Sequence, residues 1–207
     1  DNDVWHNGTI CPKCKSDVRH RLFWKIIHET NEFNFVNIFK NKKVIHFAPE
    51  KMISNEIAKL SKEYHTADFF QGHYTYSDIN FNLDISNMSL IKDSSYDTLL
   101  AFDVLEHVKL HINALNEIYR ILKPNGVCVL SIPQKDNLEE TIEDLNELSQ
   151  IEREKKFGQK DHWRIYGNDF TKTLQNAGFN VSVYDSKLIT DKNKIKTNVL
   201  IPPILSK

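Results

Sequence analysis

Lys43-Val44-Ile45-His46-Phe47-Ala48-Pro49-Glu50 is a short apolar run that ends on an acidic residue, and the helix-forming stretch Lys51–Leu60 comes directly after it. A buried strand that delivers a carboxylate to the start of a helix is how an open α/β sheet begins a nucleotide site, because ligands bind beyond the carboxyl ends of such strands. The loop lacks the glycines usual there. Ala48 is small enough to permit close approach, whereas Pro49 fixes φ and removes one N–H donor. The spacing of strands and acids downstream gives this loop its meaning.

Strand signals recur at 44–47, 64–68, 81–85, 96–102 and 127–132, with helices at 51–60 and 111–122, which is the alternation of βαβ units. Tyr96–Phe102 is apolar on both faces and should be central. Ile112, Leu115, Ile118, Tyr119 and Leu122 form the core stripe of the second helix, which Lys123-Pro124-Asn125-Gly126 stops. A charged amphipathic helix is expected over about 138–155, with Ile142, Leu145, Leu148 and Ile151 inward. Asn168 should cap a last helix closed by Gly178. Two strands, 179–184 and 196–201, have no helix signal between them and should form an antiparallel edge hairpin. Upstream, Leu22, Phe23, Ile26 and Ile27 make a stripe at helical spacing. The expected division is a cysteine knuckle and capping helix over 1–42, and a ligand-binding domain over 43–207.

The 207 residues are 40% hydrophobic and 27% charged, ordinary values for a soluble chain with one sizeable core. Lys plus Arg (27) nearly cancels Asp plus Glu (28), which argues against a broad nucleic-acid-binding face. No apolar run reaches the length of a membrane span and the first residues do not read as a signal peptide. Cys11, Cys14 and Cys128 make no disulfide framework, so a cytoplasmic protein is expected. Cys11-Pro12-Lys13-Cys14 has the spacing of half a zinc ribbon, but structural zinc takes four ligands and only His6 and His20 lie near enough in sequence. No metal site is therefore expected, and Cys128 reads as a small core residue.

Glu50, Asp68 and Asp84 each follow a strand. A carboxylate after the second strand can accept both hydroxyls of a ribose, and one after the third can meet an adenine amino group. Acids repel phosphates, so the set favours a nucleoside cofactor without a pyrophosphate. Together with Asp84-Ile85, the D-V-L-E-H-V of Asp103–Val108 and the R-I-L-K-P-N-G of Arg120–Gly126, it resembles the class I S-adenosylmethionine-dependent methyltransferases of the methyltransferase-11 type, over roughly 43–133. Two further pieces, C-P-K-C-K-S-D-V-R-H-R from Cys11 and F-G-Q-K-D-H-W-R-I-Y-G-N-D-F from Phe157, are similar to a branch in which H-F-A-P-E replaces the glycine-rich loop. The resemblance implies a Rossmann-like α/β fold with a seven-stranded, mostly parallel sheet and an antiparallel edge hairpin, and S-adenosylmethionine as cofactor. By that resemblance His46, Phe47, Ala48 and Glu50 wall the methionine side, Asp68 takes the ribose, and Asp84 and Ile85 border the adenine. Asp103 contacts the methionyl end or caps a turn.

Methyl transfer from a sulfonium is an in-line displacement, so positioning the acceptor supplies much of the rate, and a hydroxyl acceptor also needs a base. At the exit of the fourth strand, Glu106 reads first as a structural residue that fixes the following helix, and His107 reads equally as catalytic and as structural. In Asp161–Gly167, His162 is a candidate base held by Asp161, Tyr166 a base or orienter, and Arg164 a bidentate partner for a carboxylate or phosphate. Arg19-His20-Arg21 opens a helix and offers a second anion site. If the arginine clusters converge, the acceptor is a small anionic molecule. Two other readings stay open: an accessory binding module on the same fold, suggested by Ala48-Pro49, and an RNA methyltransferase that grips RNA with the knuckle. The second is disfavoured by the charge balance and by the lack of an aromatic-basic stripe.

Overall fold

The structure is a computed structural model and describes residues 11–13, 16–29, 34–69, 79–135, 137–185 and 200–206. Its elements run α1 (Val18–Glu29), α2 (Phe35–Phe39), β1 (Lys43–Phe47), α3 (Lys51–Leu60), β2 (Glu63–Asp68), β3 (Phe81–Asn82) and β4 (Tyr96–Phe102). A 3-10 turn (Leu105–His107) leads to α4 (His111–Ile121), β5 (Leu122–Ser131), β6 (Ile142–Glu143), α5 (Gln150–Phe157), β7 (Arg164–Ile165), α6 (Phe170–Asn176), β8 (Asn180–Asp185) and β9 (Leu200–Ser206). Seven strands form one sheet in the order β3-β2-β1-β4-β5-β9-β8. β1 to β5 pair in parallel, while β9 is antiparallel to both β5 and β8. The expected sheet with its antiparallel edge hairpin is thus observed. Strand order reverses between β1 and β4, and the carboxyl ends of those two strands define the crevice where such sheets bind ligands.

Side chains alternate between the faces of each strand, and both faces are covered. Ile45, Leu99, Ala101, Cys128 and Leu130 pack with Leu115 and Ile118 of α4 on one face. Val44, Leu100, Phe102 and Val129 pack on the other with Phe23 and Ile27 of α1, Phe39 of α2, and Ile53 and Ile57 of α3. Leu22, Phe23, Ile26 and Ile27 are all buried, as their spacing requires. Phe23 meets Phe102 edge-on, with ring centroids 5.1 Å apart. Each such side chain contributes roughly 1.5–3 kcal/mol of burial, so α1 is held firmly over the carboxyl end of β4. Residues of α1 and α2 share this cluster with those of α3, β1, β4 and β5.

Several local expectations need correction. The 138–155 stretch is not one helix: Ile142–Glu143 pair with Arg164–Ile165 in a two-stranded ribbon, and α5 begins only at Gln150. Asp144 Oδ1 accepts the Asn146 N–H, and Ser149 and Glu152 close a capping box, so short-range polar bonds outcompete the helical period. Ile142, Leu145 and Ile151 are exposed as a result. Lys123–Gly126 does follow directly on the C-cap of α4, Leu122, and it also forms a bulge within β5, where the register moves from Tyr96↔Leu122 to Thr98↔Val127. Asp169, not Asn168, occupies the N-cap of α6, and its carboxylate accepts from the Thr141 N–H and hydroxyl instead of capping. Gly178 does take a positive φ of 99° after that helix. The third strand is shorter than expected; β9 runs from Leu200 to Ser206, and residues 196–199 of the expected last strand lie outside the described residues. Among the described residues no helix is long and apolar enough to cross a membrane.

Candidate cofactor and acceptor site

At the end of β1 the chain turns through Ala48, whose φ is 46° and whose N–H donates to the Ala67 carbonyl at 2.9 Å. An L-residue there costs roughly 1–2 kcal/mol. Ala48 thus adopts the backbone conformation a glycine would take at no cost. Glu50 then sits at the N-cap of α3 without capping it. Its carboxylate turns toward α1, and Oε1 accepts from Arg19 Nε at 3.1 Å and Nη2 at 2.9 Å. His20 Nδ1 accepts the Asp17 N–H, which leaves its proton on Nε2, 2.6 Å from Glu50 Oε1 but off-line for a hydrogen bond. Glu50 Oε2 is buried and unpartnered.

Asp103, at the end of β4, also has a positive φ, 50°. Its Oδ1 accepts the Ser131 hydroxyl at 2.5 Å, and Oδ2 lies 3.2 Å from Arg19 Nη1. Arg19 therefore bridges the two acids of the switch point and also reaches Asp17. Burial favours the neutral form of Glu50, but His20 and Arg19 outweigh it and hold the carboxyl below its usual range. At Asp103 burial wins over Arg19 and Ser131, and the pKa rises.

Asp68 accepts the N–H of Phe69 at 2.8 Å and is pushed up by burial. Asp84 Oδ1 accepts from both the N–H and the hydroxyl of Ser86 at 2.8 Å, an Asx turn that does not use its second oxygen. Ile85 and Phe47 are buried in the core beneath these loops. His46 is fully buried, hydrogen-bonded to the Tyr64 hydroxyl at 2.8 Å, and its pKa is pushed down to about 4 by that burial.

On the acceptor side, the Trp163 N–H donates to the Glu106 carbonyl at 2.9 Å and docks the 161–167 loop on the 3-10 turn. Trp163 itself lies between Arg153, 3.5 Å from its ring centroid, and Lys109 at 4.6 Å. Arg164 is not a free arm for an anion. It is 0% exposed, and its guanidinium donates to the carbonyls of Leu105, Val108 and Lys109 and to Glu143 Oε2. Tyr166 is also 0% exposed, its hydroxyl shared with His111 Nδ1 at 3.1 Å, and burial raises its pKa, so it cannot meet an acceptor. Asp161 does not orient His162; its carboxylate lies 3.3 Å from His107 Nδ1. His162 is buried edge-on against the His107 ring, centroids 4.7 Å apart, and burial and His107 push its pKa down to about 4.

Of the three residues expected to do catalysis, only His107, with 36% of its side chain exposed, reaches solvent. The expected convergence of arginines fails as well. Arg19 is committed to carboxylates, Arg164 is internal, and Arg21 Nη1 donates to the Ser16 carbonyl at 2.6 Å. An anionic acceptor loses its support. Two residues have states that no local pattern announces. Ser131 is the last residue of β5, with no local signal of its bond to Asp103. Glu106 is 1% exposed with Oε2 unpartnered, and burial and Asp103 raise its pKa to about 8.

A parallel sheet reversing at β1/β4, with acids at the carboxyl ends of β1, β2 and β4 and after β3, defines a Rossmann-like class I methyltransferase fold, whose cofactor is S-adenosylmethionine. The chain belongs to a methyltransferase domain family, whose model matches residues 17–183. It is similar in structure to the 1,6-didemethyltoxoflavin N1-methyltransferase of Burkholderia thailandensis, at 13% identity over 99% of this chain and 81% of that one, with a TM-score of 0.62. An S-adenosylmethionine-dependent methyltransferase of Mesorhizobium loti gives 10% identity, 87% and 100% coverage, and a TM-score of 0.57. The [4+2]-cyclase SpnF gives 13% identity, 83% and 61% coverage, and a TM-score of 0.54. An uncharacterized protein of Methanocaldococcus jannaschii is 47% identical over 47 residues, which span 23% of this chain and 20% of that protein.

Proposed function

We propose that this chain transfers a methyl group from S-adenosylmethionine to a small-molecule acceptor. The observation that carries the reading is Glu50 Oε2, a buried carboxylate oxygen with no partner beside the switch point. A buried acceptor of that kind costs free energy until a donor meets it, and a cationic amine is the donor best matched to it. The methionyl ammonium of the cofactor has that chemistry. When bound, the cofactor supplies an electrophilic sulfonium methyl. Asp68 would accept from the ribose hydroxyls, the second oxygen of Asp84 would border the adenine, and Asp103 would share the ammonium with Glu50. Helix α1 would cover the crevice, exclude water and hold Arg19 against both acids. His107 borders the acceptor side.

A second reading has an observation of its own. Arg19 already neutralises Glu50 and Asp103, which suits an accessory module whose cofactor site is closed by its own helix. The cyclase SpnF illustrates that this fold also serves other chemistry. Calorimetry with S-adenosylhomocysteine separates the readings. The methyltransferase reading expects micromolar or tighter binding that Asp68→Ala weakens at least about tenfold. Absent binding, or binding indifferent to Asp68→Ala, favours the accessory module.

A further inference from the structure

Glu106, His107 and His162 bring one carboxylate and two imidazoles together, with a ligand atom from each within 4.8 Å of the others. Two of these side chains carry an anomaly as the fold stands. Glu106 Oε2 and His162 Nε2 are buried, on side chains 1% and 4% exposed, and neither has a hydrogen-bond partner. Orphaned buried polar atoms are rare in folded proteins, and two on side chains of one cluster ask for a third party. We propose that Glu106, His107 and His162 bind a divalent transition metal ion, zinc foremost, with Asp161 as the outer partner that orients His107.

The surroundings are those of a metal site. A ligating histidine commonly gives its other ring nitrogen to a carboxylate or a backbone carbonyl, which fixes the ring and its tautomer. Here His107 Nδ1 lies 3.3 Å from Asp161, which leaves its Nε2 on the Glu106 side of the ring. The nearest contact between His107 Nε2 and Glu106, 3.9 Å to Oε1, is too long to satisfy either group by itself. Tetrahedral zinc with bonds of about 2.0–2.1 Å needs its ligand atoms roughly 3.4 Å apart, so small side-chain rotations inward suffice. The frame is stiff. Arg164 clamps the carbonyls of Leu105, Val108 and Lys109 around the 3-10 turn, and the Trp163 N–H ties the histidine loop to Glu106.

Two histidines and one carboxylate form the donor set of catalytic rather than structural zinc, and they leave a coordination position open. His107 is the most exposed of the three, so that position is reached past its ring. An acceptor with an oxygen or nitrogen donor atom is the chemistry that fits there. This last point rests on the methyltransferase reading; the metal site does not.

The test uses untagged full-length protein carrying Cys11→Ser and Cys14→Ser, which removes the knuckle as a competing ligand set. Metal-stripped protein is titrated with Co2+ and followed by visible absorption, then with Zn2+ by equilibrium dialysis. One equivalent of zinc and a low-symmetry cobalt spectrum are expected. Glu106→Gln, which keeps shape, and His162→Asn should each weaken binding at least about 100-fold, while Asp161→Asn weakens it about 10–100-fold at unchanged stoichiometry. Zinc should also raise the Tm of the parent and leave that of folded Glu106→Gln unmoved. Absence of stoichiometric binding overturns the proposal, as does binding indifferent to Glu106→Gln and His162→Asn. S-adenosylhomocysteine binding is measured on the same samples: cofactor binding without metal binding overturns this inference alone, and metal binding without cofactor binding overturns only the preceding one.

Discussion

Arg164→Leu distinguishes a structural clamp from a substrate arm. The guanidinium is 0% exposed and makes hydrogen bonds to three backbone carbonyls and to Glu143 Oε2, at 2.7 Å for the last. Leucine keeps much of the apolar stem but strands three carbonyls and one carboxylate. Removing one partner of such a buried charged network costs about 3–5 kcal/mol, since the groups left behind stay desolvated. In a chain of this size each kcal/mol moves Tm by about 2–4 °C, so a loss of roughly 6–20 °C is expected by calorimetry or circular dichroism. Arg164→Lys should fall between the two, because an ammonium can satisfy some of these acceptors but not in the planar fork. A Tm for Arg164→Leu within about 2 °C of the parent refutes the clamp and returns Arg164 to the acceptor side.

Glu50→Gln should weaken S-adenosylhomocysteine binding about 10–100-fold in calorimetry, because it removes the charge that both Arg19 and a bound ammonium require; unchanged affinity contradicts the assignment of Glu50. Gly167→Ala places a Cβ 2.6 Å from the Glu140 carbonyl carbon and 2.9 Å from the Leu138 oxygen, both backbone, so the 138–141 crossing must shift. A cost of about 1–3 kcal/mol is expected in urea unfolding. His46 stays neutral in the fold down to about 4, against 6.5 when free, so the unfolded chain takes up its proton first as pH falls. Its full stability is present above pH 6.5 and is lost between there and pH 4, by about 3 kcal/mol. Chemical unfolding of His46→Gln should show a flatter decline over that window, and an identical slope contradicts the assignment.

Much of the fold is legible in the sequence because its period is local. Val44–Phe47 and Tyr96–Phe102 are apolar runs of strand length, and α3 has an apolar face that the 3.6-residue repeat reveals. The acids at the strand ends are legible for a related reason: a residue directly after a buried strand must emerge at that edge. The 138–155 stretch misleads because Ile142, Leu145, Leu148 and Ile151 fit a helical period, while Asp144, Asn146 and Ser149 satisfy the backbone locally and Ile142–Glu143 find a distant strand. Periodicity is blind to such competition.

Long-range packing sets the roles of the polar residues. Arg164 and Arg19 look alike in sequence as exposed cations. One lies wholly inside, clamping carbonyls 55 to 59 residues away, and the other bridges acids on two strands. Asp161 neighbours His162 in the chain but pairs with His107, because the loop docks on the turn after β4 and brings both residues against that ring. Patterns a few residues long are enough to dictate a parallel α/β sheet with acids lined along one edge, since burial and strand direction follow from them directly. Which charges neutralise one another, and which buried atoms stay unpaired, emerges only in three dimensions, because those contacts join residues that no local pattern connects.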